Sequence, residues 1–164
     1  HHAIEEGHKI LVFSQFTAIL LSIARRLEGE KIDFSYLDGS IPAKKRMAIV
    51  DDFNNGDNSV FLISLKAGGT GLNLTSADVV VHFDPWWNPA VENQATDRAH
   101  RIGQENIVEV IKLVARGTIE EKIVKLQKDK ERLIEKVIDE GSSSENLLQE
   151  LDSKKLMEML EFDI

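Results

Sequence analysis

The chain has 164 residues, 42% hydrophobic and 29% charged, enough apolar material for one globular domain with a sizeable core. It has no cysteine, which excludes disulfides and thiolate metal sites, and no apolar run long enough to cross a bilayer. The net charge of −8, from 28 acidic against 20 basic side chains, argues as a total against a nucleic-acid partner. That excess is partly local. Residues 139–164 carry Asp139, Glu140, Glu145, Glu150, Asp152, Glu158, Glu161 and Asp163 against only Lys154 and Lys155. A basic groove elsewhere on the domain is compatible with the total. His1-His2 reads as the remnant of an affinity tag, and no charged-then-apolar leader follows it.

Lys9 to Phe13 is a short apolar run, expected as a strand buried on both faces. Thr17 to Glu28 has helical spacing (Ile19, Leu20, Ile23, Ala24, Leu27), and Gly29 stands where a helix C′ residue belongs. Ile32 to Leu37 is a second strand, turned by Asp38-Gly39-Ser40 into a helix from Pro42. That helix is expected to bury Met47, Ile49, Val50 and Phe53 and to stop at Asn54-Asn55-Gly56. Val60 to Ser64, Val79 to Phe83 and Ile107 to Val114 supply three further strands. Continuous apolar runs separated by helices imply an α/β fold, a parallel sheet sandwiched between helices and joined by right-handed crossovers. Ligands of such sheets gather at the carboxyl ends of the strands. Four loops follow strands here: 14–16, 38–40, 66–73 and 84–88.

Thr118 and Glu121 form a capping box ahead of a long helix with apolar residues at Ile119, Ile123, Leu126, Leu133, Ile134 and Val137. The expected organisation is a tag remnant at 1–2, the sheet domain at 3–117, this helix at 118–140 packing on that domain, and 141–164 beyond. Gly141 to Ser144 reads as a flexible break. The remainder reads as an acidic helical tail with apolar pieces (Leu147, Leu148, Leu151; Leu156, Met157, Leu160), either docked or partner-binding.

Asn88-Pro89 is an N-cap followed by proline at the first helical position. A helix starting there sets Gln94, Asp97, Arg98 and Arg101 at i, i+3, i+4 and i+7, along one side. Two arginines one turn apart suit a polyphosphate, since each offers a planar fork of donors and a permanent charge. A solvated Arg/Asp face is the alternative, and spacing alone leaves both open. Ala67-Gly68-Gly69-Thr70-Gly71 follows a strand but lacks the Lys-Ser or Lys-Thr of a Walker A loop, so a tight turn is the simpler reading. Trp86 and Trp87 are adjacent, and neighbours seldom both face a core, so one is expected buried and the other exposed. His82 and His100 have no metal-ligand spacing around them.

The run ADVVVHFDPWWNPAVENQATDRAHRIGQ, Ala77 to Gln104, resembles the last motifs of the Swi/Snf-type DNA translocases of helicase superfamily two. SLKAGGTGLNLT (Ser64 to Thr75), VFSQF (Val12 to Phe16) and LDGS (Leu37 to Ser40) resemble earlier motifs of that family, in its order. The resemblance implies a RecA-like second lobe with a C-terminal helical extension. The parent would be a double-stranded DNA translocase holding ATP and Mg²⁺ in a cleft between two lobes. The first lobe would supply the Walker A lysine and the Mg²⁺-binding acids, which this sequence lacks. It implies arginine fingers at Arg98 and Arg101, with Gly69, Gly71, Asn73, Gln94 and Asp97 toward the nucleotide. It also implies DNA contacts from Ser14, Gln15, Ser40, Arg46, Lys66, Thr70 and Trp87, for Arg46 beside the alternative of a solvated helix face. The implied partners are the first lobe and duplex DNA, with protein partners through the tail. The isolated lobe is expected to hold no cofactor and turn over no ATP, and a bacterial cytoplasm is the preferred setting.

Three other readings compete. A Rossmann enzyme needs GxGxxG after the first strand, where this chain has Ser14-Gln15-Phe16. A phosphatase or glycosyltransferase finds no strand-end general base except Asp84. An interaction module working through the acidic tail is the remaining alternative.

Overall fold

The computed structural model describes residues 1–68, 71–99 and 107–140, with the backbone alone at 130 and 133–140. Among these the elements run α1 (His2–Glu5), β1 (Ile10–Ser14), α2 (Thr17–Gly29), β2 (Phe34–Leu37), α3 (Ala43–Asn55) and β3 (Val60–Ser64). They continue as α4 (Leu65–Gly68), β4 (Val79–His82), α5 (Pro89–Thr96), β5 (Glu109–Lys112) and α6 (Ile119–Glu140). Residues 1–86 with 90–113 form one compact unit, and 87–89 with the chain from 114 onward form another.

The first unit is built on a five-stranded, all-parallel sheet in the order β2-β3-β1-β4-β5. Side chains alternate across it. Leu11, Phe13, Phe61, Ile63 and Val80 join Val50 and Phe53 of α3 and Ala95 of α5 in one cluster. Val12, Val60 and Leu62 join Leu20 and Ala24 of α2 in a second. The connection leading from β1 toward β2 thus lies on one face, and the connections running the other way lie on the opposite face. A single crossover handedness requires that division.

Several expectations are corrected. α2 keeps Gly29 as its last helical residue, and positive φ falls instead on Lys31 (57°). Met47, expected buried, is 56% exposed at the rim of the α3 face that carries Val50 and Phe53. β2 alternates half-buried and buried residues and β5 is exposed throughout, since each is a sheet edge. Only β1, β3 and β4 have the double-sided burial expected of all five. The loop expected at 66–73 begins as α4.

Lys9 fixes the far end of α3: its Nζ donates to the carbonyls of Phe53 (2.5 Å) and Gly56 (2.8 Å), satisfying helix-terminal acceptors. Gly68 owes its identity to packing. A Cβ there would sit 2.8 Å from Phe13 Cε1 and 3.7 Å from Ile63 Cγ2, and neither side chain has room to retreat. Alanine is favoured over glycine in a helix by about 1 kcal/mol, whereas overpacking a core costs about 1–3 kcal/mol. Gly68→Ala is therefore expected to destabilise the domain by up to about 2 kcal/mol net. Urea unfolding measures it, and a raised midpoint would contradict the packing.

Candidate functional site

β1 sends its connection toward β2, and its neighbour β4 sends its own toward β5. A crevice therefore opens at their carboxyl ends, where ligands of such sheets bind. Asp84, just beyond β4, spans that crevice. Its Oδ1 accepts from the Ser14 hydroxyl and its Oδ2 from the Gln15 backbone N–H (3.0 Å). Ser14 Oγ in turn accepts the Phe16 N–H (3.0 Å). Ser14 is 1% exposed, so its hydroxyl cannot serve as the phosphate contact expected of it; it holds Asp84 instead. Asp84 is itself buried and engaged, which removes it as a general base.

A pocket of about 350 Å³ opens among these strand ends, lined by Gln15, Leu65, Lys66, Trp86 and Val91. Gln15 follows β1, Leu65 and Lys66 follow β3, Trp86 comes from the exit of β4, and Val91 from α5. Lys66 is exposed, while Leu65 belongs to the core and Trp86 and Val91 pack against it. Trp86 is held by its backbone as well, for its N–H donates to Glu92 Oε1 at 2.5 Å. Glu92 is 1% exposed and its other oxygen lies 2.7 Å from Lys112 Nζ on β5. Beside it His82 stacks on Phe13 and pairs through Nε2 with Thr96 Oγ1 (3.0 Å). Burial lowers the His82 pKa, so the ring is neutral at pH 7.

A second group forms where the loop before β4 meets the end of α5. After Thr96 the helix tightens: the N–H groups of Arg98 and Ala99 bond to the carbonyls of Ala95 and Thr96, three residues back. Asp97 and Arg98 are thus in a turn beyond α5, while Gln94 is on the helix itself. The Arg98 carbonyl accepts the Leu74 N–H (3.0 Å), pinning the turn to the 71–74 loop. Asn54 holds that loop from α3, donating to Asn73 O (2.8 Å) and accepting from the Ser76 hydroxyl (2.9 Å). Gly71 has φ of 69°, the positive value expected of a tight turn, and both Gly71 and Asn73 are exposed. Gln94 and Asp97 are exposed as well, and Arg98 is half-buried with its Nε enclosed and unpartnered among the described residues. Gly71, Asn73, Asp97 and Arg98 are brought to one place. Gly69, Thr70, His100 and Arg101 lie outside the described residues.

The β2 exit is a third, pre-ordered loop. Asp38 Oδ1 accepts from both N–H and hydroxyl of Ser40 and Oδ2 from Tyr36 Oη, and the Ser40 hydroxyl bond leads in holding the Asp38 carboxyl below its usual range. Burial and the adjacent carboxylate push the Tyr36 phenol up to about 12. Arg46 is turned inward, donating from Nε to the Ile41 carbonyl (2.8 Å). It braces this loop rather than forming a solvated face.

Residues 1–103 match the helicase conserved C-terminal domain. The chain belongs to that helicase family. It is similar to the putative ATP-dependent helicase/translocase YwqA of Bacillus subtilis, 45% identical over 94% of this chain and 16% of that protein. It is similar also to the SWI/SNF-related matrix-associated actin-dependent regulator of chromatin subfamily A member 1 of Mus musculus, 39% identical over 95% of this chain and 15% of that protein. The crystal structure of the C-terminal part of the Fun30 ATPase domain superimposes with a TM-score of 0.73 at 39% identity, covering 76% of this chain and 41% of that one. The fold is RecA-like and the domain is of the Swi/Snf type.

In the second unit, most of which lies beyond the matched residues 1–103, the cap of α6 forms one residue out of register. Thr118 Oγ1 accepts from the Glu120 N–H (3.2 Å), and Glu121 Oε2 from Gly117 N (3.1 Å). Leu126 is buried, but Ile119 is 45% exposed; the side chains of Leu133, Ile134 and Val137 and the tail at 141–164 lie outside the described residues. Trp87 is half-buried and belongs to this unit, whereas Trp86 lines the pocket of the first. Neither tryptophan is fully buried, against the expectation for one of them. No helix among the described residues is long and apolar enough to cross a membrane.

Sequence reasoning missed Glu92 and Lys112. A signal was present: Ala95 and Ala99, both buried, stand three and seven residues beyond Glu92 and mark its side of α5 as the inward one. The pair should respond asymmetrically. Lys112→Met leaves a buried carboxylate unpaired and is expected to cost about 3 kcal/mol or more. Glu92→Gln keeps an acceptor for Trp86, leaves a lysine that can reach water, and is expected to cost about 1–2 kcal/mol. Equal losses in urea unfolding would contradict the burial of Glu92.

Proposed function

We propose that this domain is the second motor lobe of an ATP-dependent double-stranded DNA translocase, completing an ATP site whose other half lies on a partner lobe. Arg98 carries the reading. A half-buried guanidinium on a turn pinned to an exposed loop suits an anion arriving from outside the domain. In this role Arg98 and Arg101 stabilise charge developing on the transferring phosphoryl group. Gly69, Gly71 and Asn73 border the nucleotide from the 69–74 loop, with Gln94 and Asp97 from α5 and its end.

ATP and Mg²⁺ belong to the assembled protein. The Mg²⁺ ligands are assigned to the partner lobe. Duplex DNA is assigned to the strand-end loops, through Gln15, Ser40, Lys66, Thr70 and Trp87, gripping backbone without reading sequence. The isolated domain binds DNA only weakly in this account, and Ser14 and Arg46 contribute by shaping loops rather than by touching phosphate.

Arg98→Ala or Arg101→Ala in the complete two-lobe protein is expected to lower ATPase kcat by about 10³-fold. ATP and DNA affinity should change far less, because the contact tightens in the transition state. Lysine should rescue poorly, lacking the bidentate fork. The melting temperature of the same variants decides against a structural role: a lowered Tm with normal turnover would overturn the assignment.

A further inference from the structure

We infer that the pocket bounded by Gln15, Leu65, Lys66, Trp86 and Val91 receives a single unstacked nucleobase of a DNA strand. This rests on the DNA-track reading and goes beyond it, because that reading requires contacts to phosphate and sugar alone. The pocket's apolar lining residues are Leu65, Val91 and Trp86, side chains of the kind on which a flat ring can pack and stack. The polar groups at its border are one amide, Gln15, and one ammonium, Lys66. An amide can both donate to and accept from a base edge, and a lysine beside it can hold the phosphate of the same nucleotide. Apolar walls with a few convergent polar groups, in a space of about 350 Å³, have the size and composition of a small-ligand site.

The pocket is also rigid. Leu65 is 6% exposed and part of the core, and Trp86 and Val91 pack on that core. Glu92 fixes the Trp86 backbone and is itself anchored to Lys112 of β5. Asp84 fixes Gln15 through its N–H. A pre-formed platform of this kind loses little entropy when a base enters. Its place at the ends of β1, β3 and β4 puts it among the loops that face DNA in the proposed reading. A base held there would mark one position along a tracked strand, and would favour duplex in which a base is already displaced.

The test uses the complete two-lobe protein with three probes: a duplex carrying one extrahelical fluorescent adenine analogue, the same duplex fully paired, and the free analogue nucleoside. The expected result is about tenfold tighter binding of the extrahelical duplex than of the paired one, the scale of one base–indole stack, with quenching of the analogue. Trp86→Ala should bring the ratio of the two affinities close to one, and Trp86→Phe should retain most of it. Val91→Phe, which adds bulk to the pocket lining, should remove the preference while leaving Trp86 in place. Equal affinities for the two duplexes with unquenched analogue would overturn the pocket inference and leave the DNA track standing. Full competition by the free nucleoside would overturn it too, placing a soluble ligand in the pocket. Binding of neither duplex would overturn the DNA track and the inference together.

Discussion

The ion pair between Glu92 and Lys112 holds the working edge of this domain in shape. A carboxylate that is 1% exposed is costly to place unless its charge and lone pairs are met. Here the Lys112 ammonium, 2.7 Å from Oε2, meets the charge from β5 without hydrogen-bonding geometry, and the Trp86 N–H donates to Oε1. Through that one group the exit of β4, the first turn of α5 and the edge strand are tied together. The indole that walls the pocket and the helix that leads to Arg98 are therefore positioned by the same contact. A hydrophobic residue at 92 would fill the space, but it could not fix the backbone of Trp86.

Asp84 does for the other side of the crevice what Glu92 does for α5. It joins the ends of β1 and β4, and it removes Ser14 from the surface in doing so. Both acids act on backbone N–H groups and so turn two of the acidic side chains inward. Carboxylates that are buried and engaged add to the net charge of −8 without facing a ligand. Among the described residues, Lys66 is a cation at the strand ends and the half-buried Arg98 one at the α5 turn.

The parallel sheet was legible because its strands are continuous apolar runs, and β1, β3 and β4 lie within a residue or two of where periodicity places them. The edges were less legible. β2 and β5 have the same apolar residue types, but nothing in a local window says that one face will stay open. α5 misled in a different way. Its first turn obeys the Asn-Pro start, yet the chain tightens after Thr96 because the Arg98 carbonyl is drawn to Leu74, a contact 24 residues away in sequence. A helical wheel cannot contain that. Among the expected site residues, Gly71, Asn73, Asp97 and Arg98 converge as a group and Gln15 with Lys66 as another. Ser14 and Arg46 bond to their own loops, a role that polar type alone does not distinguish from reaching a ligand. The two tryptophans were distinguishable only in three dimensions.

Dividing one ATP site between two lobes makes a demand that a self-sufficient enzyme or a pure interaction module would not make. The direct measurement is ATP hydrolysis by the purified 164-residue chain and by the complete parent protein, each with saturating duplex DNA. The account predicts DNA-stimulated turnover by the parent and none above background by the chain alone. Turnover by the chain of about 1 s⁻¹, the low end of ordinary enzyme rates, would contradict it.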